Sequence, residues 1–283
     1  EAFRSNVLPV AWLNGMTSRS NEVNQSKGES LDLKFICFAG AEYHLLTWTN
    51  RQQLMSRLSK KHPVLYVEPR VWIVRYLWQN KFNPRRIFGL LQKIVGVERV
   101  TVAGQELYIK SQWNLIPGSR EIQVIAQFNH LLNKYSIKRA IKKFKFDKGQ
   151  TVMWIYDTEG AEYLGMLKDA TILYDCVDDH AAQAGVNRNP GRVKAEEDAI
   201  LKRADIVTVT SRKLLNEKKR ANGNVHLVLN AGDVELYAKK VNEVPSVMKA
   251  INKPVIGIVG ALDDYKVNFE LLIGVAKDKK DWS

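Results

Sequence analysis

A chain of 283 residues that is 45% apolar and 26% charged, with 17 Gly and 8 Pro, has globular composition and length for one large domain or two modest ones. A small stapled fold and a disordered or collagenous chain are excluded, and the longest apolar run, 254–262, is about half of the ~20 residues a membrane-spanning helix needs. Lys plus Arg exceed Asp plus Glu by 43 to 30, a net charge of +13 that invites an anionic partner.

Residues 1–30 are polar and aperiodic and read as a leader without a secretion signal, so a cytoplasmic location is expected. From Leu33 onward, short β-branched apolar runs alternate with helical stretches. The predicted strands are 35–39, 64–67, 152–156, 171–176, 206–210, 226–229 and 255–259. This rhythm predicts an α/β fold, a Rossmann-like doubly wound parallel sheet. Thr49 and Gln52 have capping-box spacing ahead of Leu54, Met55 and Leu58. Segments 97–102 and 106–110, joined around Ala103-Gly104, predict a hairpin that caps one sheet edge. Over 121–146 the spacing predicts a helix that packs through Ile125, Phe128, Leu132 and Tyr135 and turns Lys134, Lys138, Lys142 and Lys145 outward. Breaks at Pro245 and Pro254 mark a linker. The predicted organisation is a leader at 1–30, a Rossmann-like domain at 31–240, a linker at 241–253 and the start of a second Rossmann-like domain at 254–283. Cys37 and Cys176 each fall in an apolar strand and read as buried free thiols rather than a disulfide or metal site.

The positive charge is concentrated: residues 70–148 carry sixteen Lys or Arg against four Asp or Glu. Within that block, 70–93 interleaves cations with aromatic residues, which suits an interfacial helix with Trp72, Arg75, Trp78, Arg85 and Arg86 in contact with an anionic membrane. A core helix with a solvated face explains the same mixture equally well.

Phosphate-loop, G-x-G-x-x-G, H-E-x-x-H and C-x-x-C motifs are absent. The densest polar cluster, 175–180, follows an apolar strand. Its members Asp175, Asp178, Asp179 and His180 offer a base or hydrogen bonds to sugar hydroxyls, helix capping being the alternative. No Asp-x-Asp pair is present there to hold a divalent ion, so no metal is expected. Asp157, also just past a strand, is a cleft candidate, although capping of the next helix explains it as well. In 257–266, Gly260 allows close approach to a phosphate and Lys266 supplies a point charge.

Together, 51–58, 64–69, 172–179, 204–211 and 224–233 resemble bacterial GT-B glycosyltransferases of the teichuronic-acid-biosynthesis type, family 4-like, over about Leu33 to Ser283. The resemblance implies an acceptor-binding N-terminal domain facing a nucleotide-sugar-binding C-terminal one. It further implies hexosyl transfer to a glycan or lipid-linked acceptor in cell-envelope polysaccharide synthesis, with the nucleotide-sugar as co-substrate and no cofactor. By position, Gly40 matches a glycine after the first strand, and Gly260 and Lys266 match the donor-diphosphate loop. Ala261 stands where an arginine often follows that loop glycine. The family's paired-glutamate donor segment would lie beyond Ser283, which implies a C-terminally truncated chain. Residence at the inner face of the cell membrane fits the basic block, and no specific nucleic acid is expected. The alternatives are a non-catalytic basic module binding anionic glycan, lipid or nucleic acid, and a sugar-nucleotide epimerase of the same architecture.

Overall fold

Strands of a parallel sheet are covered on both faces and therefore read as near-continuous apolar runs. In the computed structural model these runs become β1 (Leu33–Phe38), β2 (Val64–Trp72), β5 (Gln150–Ile155), β6 (Thr171–Cys176), β7 (Ile206–Val209) and β8 (Val225–Leu227). The structure describes residues 33–79, 92–117, 122–181, 189–240, 243–249, 251, 254–260, 262 and 267–283. With β3 (Glu98–Val102) and β4 (Gln105–Asn114) the strands form one eight-stranded sheet, ordered β3-β4-β2-β1-β5-β6-β7-β8. Every pairing is parallel except β3 with β4, the hairpin at the sheet edge, whose turn residues Ala103 and Gly104 take positive φ of 50° and 83°. The chain is thus an α/β protein with a Rossmann-like doubly wound sheet.

Each face carries its own apolar layer. Helix α1 (Asn50–Leu58) covers Cys37, Tyr66, Ile109 and Trp154 with Met55, and Gln52 closes its first turn by accepting from the Thr49 N–H at 3.0 Å. The opposite layer gathers Ile36, Leu65, Met153 and Val207 under α3 (Gln123–Lys143), α4 (Pro190–Arg203) and α5 (Arg212–Lys218). Cys37 and Cys176 are buried free thiols in these two layers. Glu197 of α4 and Lys218 of α5 form a buried ion pair at 2.9 Å, and Tyr174 donates its hydroxyl to the same carboxylate.

Helix α3 departs from the predicted packing face. Phe128, Leu132 and Tyr135 are exposed, whereas Asn129, Asn133, Ile137, Ala140 and Ile141 face inward. The reason is the outer edge of β4 beyond Lys110, which β3 does not reach. Asn133 accepts from the Trp113 N–H at 2.9 Å and donates to its carbonyl at 2.8 Å, while Asn129 accepts from the N–H groups of Leu115 and Ile116 and donates to the Ile116 carbonyl. Two asparagines therefore satisfy backbone groups that a missing strand leaves open. Lys110 likewise caps a helical turn at 92–95 by donating to the carbonyls of Ile94 and Gly96, and its burial lowers its pKa to about 8.

The chain divides into two compact units, Glu1–Asn230 and Ala231–Ser283. The second contains α6 (Val234–Tyr237), α7 (Ser246–Lys249) and α8 (Phe269–Asp278), the last capped by Asn268, which accepts from the Leu271 N–H. The strand expected at 255–259 is not formed as a regular ladder among the described residues. Instead the Ile256 N–H donates to the Ser283 carbonyl at 2.8 Å and the Ser283 N–H to the Pro254 carbonyl at 3.1 Å, the slanted pair of bonds by which a parallel neighbour brackets one residue, here Val255.

Candidate functional site

In an open parallel sheet, ligands bind outside the carboxyl ends of the strands where adjacent strands send the chain opposite ways. That point lies between β1 and β5: the chain leaves β1 for β2 on one side and β5 for β6 on the other. A shallow open depression sits there, walled by residues 38–40 at the end of β1, 67–69 of β2, and Asp157, Glu159 and Tyr163 after β5. Proline cannot donate to a ladder, and the β2–β4 register shifts between Val67 and Arg70, so Glu68 and Pro69 bulge and shape one wall. Gly40 and Asp157 come together as opposite lips. Gly40 has φ +64°, and a Cβ there would lie 2.6 Å from the Asp157 Cβ.

The polar lining is held by its own bonds. Glu68 accepts from the Tyr43 N–H at 3.0 Å and from the Ser111 hydroxyl at 2.6 Å. Gln112 donates to the Glu68 carbonyl at 2.7 Å and accepts from the Tyr163 hydroxyl. Asp157 accepts from the Glu159 N–H at 2.8 Å and so caps the 3₁₀ turn Thr158–Tyr163, the capping role open to it in the sequence, while also lining the depression.

Behind this wall, Glu162 binds Arg70, meets His130 Nδ1 at 2.7 Å and meets Arg192 at 3.1 Å. Burial opposes its ionisation, but the adjoining His130 and Arg70 hold its carboxyl down to about 2. Burial also pushes the Tyr163 phenol up to about 12. These four residues come from β2, α3, the 3₁₀ turn and α4, and no local spacing in the sequence announces them. Three lining residues, Glu68, Asp157 and Glu159, are carboxylates, and none of the lining residues is Lys or Arg. A diphosphate is repelled by such a lining.

The acidic cluster after β6 is contiguous in sequence but divided in space. Asp175, still within β6, is 8% exposed and accepts from the Thr208 hydroxyl at 2.8 Å and from the Trp154 indole at 3.3 Å. Burial raises its pKa against those bonds. It faces the α1 layer, where Arg51 lies over the Tyr156 ring at 5.6 Å, and it does not open to the crevice. Asp178 is exposed, and Asp179 approaches Lys213 at 3.5 Å. His180 Nε2 is shut from solvent without a hydrogen-bond partner among the described residues. Because β5 and β6 are parallel neighbours, Asp157 and the 178–180 loop leave the sheet at the same edge.

Of the residues expected at a membrane, Trp72 ends β2 opposite Asn114 and is half-buried rather than helical. Trp78, on the short α2 (Ile73–Gln79), is 76% exposed. The side chain of Arg75, and Arg85 and Arg86 altogether, lie outside the described residues, as does Lys266. Gly260 belongs to the second unit, with φ +152° and open space where a Cβ would stand. Among the described residues no three potential metal-ligating side chains converge, and no helix is long and apolar enough to cross a membrane. Comparison with protein-family models and with curated proteins finds no match.

Proposed function

We propose that this chain is the acceptor-binding part of a nucleotide-sugar-dependent glycosyltransferase of the hexosyltransferase type. In this reading it works from the inner face of the cell membrane on a glycan or lipid-linked acceptor of the cell envelope. The observation that carries the reading is the depression at the switch point between β1 and β5, lined by Glu68, Asp157, Glu159 and Gln112. Its carboxylate-rich wall, with no Lys or Arg among the lining residues, disfavours the donor's phosphates, as expected of the acceptor side. The acceptor hydroxyl lies towards Asp178, Asp179 and His180, and His180, whose Nε2 has no hydrogen-bond partner among the described residues, takes its proton. Gly260 and Lys266, in the second unit, serve the donor diphosphate. The parallel-type bonds bracketing Val255, ahead of α8, support a β-α arrangement within the second unit.

The test is incubation of the full-length gene product with a panel of labelled nucleotide-hexoses and membrane lipid extract. The expected result is consumption of one donor with label entering the glycan or lipid fraction. A folded protein that turns over no donor overturns the proposal.

A second reading, a non-catalytic basic module for an anionic polymer, draws on the cation surplus of 70–148. Salt-dependent retention on DNA at physiological ionic strength, together with no retention on anionic vesicles, selects it.

A further inference from the structure

Helix α3 buries Asn129 and Asn133 along its N-terminal half and Ile137, Ala140 and Ile141 along its C-terminal half, while the outward side of the N-terminal half carries a run of apolar residues. Val124, Phe128, Leu131 and Tyr135, at steps of four, three and four, are 72%, 47%, 61% and 68% exposed. The same stripe continues at steps of three and four to Lys138 and Lys142, both exposed. A helix facing only water places charge where this one places Phe, Leu and Tyr, and a contiguous exposed apolar patch marks an interaction surface. Helix α2 meets the same strand end, since Tyr76 packs edge-on against Trp113 at 5.5 Å while Asn133 holds the Trp113 backbone.

We infer that the outer stripe of α3 lies in an anionic lipid surface, with Val124, Phe128, Leu131 and Tyr135 at the headgroup boundary and Lys138 and Lys142 on lipid phosphates. Charge identifies the occupant. The stripe ends in cations within a segment of sixteen basic and four acidic residues, which calls for a surface that is apolar and anionic together. A second copy is a poor fit, because antiparallel pairing of two stripes sets Lys138 and Lys142 over the other copy's apolar half. The inferred contact lies on α3, outside the 70–93 segment expected in the sequence. This deepens the membrane-surface part of the proposed function and does not depend on sugar transfer, so the two fail separately.

The experiment is co-sedimentation of the full chain with vesicles of phosphatidylcholine, with and without phosphatidylglycerol. Three forms are compared: the unaltered chain, the triple variant Phe128→Ser/Leu131→Ser/Tyr135→Ser, and the pair Lys138→Glu/Lys142→Glu, with melting temperatures measured alongside. The unaltered chain is expected to bind only the anionic vesicles, and each variant to bind them at least about tenfold more weakly while melting as before. Unchanged binding by the triple variant overturns the inference. So does loss of binding by the lysine variant alone, which leaves a purely electrostatic contact, or dimerisation of the unaltered chain that the triple variant abolishes.

Discussion

Four segments far apart in the chain deliver Arg70, His130, Glu162 and Arg192 to one carboxylate site behind the crevice wall. A carboxyl whose pKa is depressed on folding stabilises the protein above its unfolded value, and that contribution is lost as pH falls through the folded one. For Glu162 the window runs from 4.5 down to about 2. The shift corresponds to at most about 3 kcal/mol at neutral pH. Glu162→Gln is therefore expected to lower stability at pH 7 by roughly 2–3 kcal/mol and to converge with the unaltered protein as pH falls through that window. Urea unfolding across the acid range measures this, and a pH-independent difference contradicts it. Such a site is illegible in sequence because its partners share no local period. The acidic cluster at 175–180 illustrates the converse. Asp175, still within the strand, turns inward to Trp154 and Thr208, while Asp178, three residues on and in the loop, is exposed.

At the scale of elements, the strands were readable because burial on both faces leaves continuous apolar runs, and 171–176 matches β6 residue for residue. The edge hairpin was readable from Ala103-Gly104. The orientation of α3 was not, since helical periodicity assumes that apolar residues face the core. Here the requirement to pair the open backbone edge of β4 outweighs that rule and draws Asn129 and Asn133 inside. Asn133→Leu, which makes the inner face conventionally apolar, is expected to destabilise by about 2–4 kcal/mol because it orphans the Trp113 N–H and carbonyl. Leu131→Ser on the outer face should change stability by no more than about 0.5 kcal/mol. Denaturant titration of both variants decides it, and a neutral Asn133→Leu contradicts this account of the helix.

At the scale of the whole molecule, strand order places the crevice. The reversal between β1 and β5 opens a crevice that joins Gly40 and Asp157, residues 117 positions apart, and sets the 178–180 loop on the same edge. The parallel α/β rhythm made the sheet edge foreseeable, and with it the positions of Gly40 and Asp157. The inward turn of Asp175 and the contribution of Gln112 and Tyr163 depend on strand pairing that no local pattern encodes. The central claim is that this edge activates an acceptor hydroxyl. It is tested most directly by the rate of sugar transfer in the full-length protein carrying His180→Ala, read beside its melting temperature. The account predicts a fall in rate of about a hundredfold or more with the melting temperature unchanged. Transfer at the unaltered rate, or a loss of rate matched by a loss of stability, would contradict it.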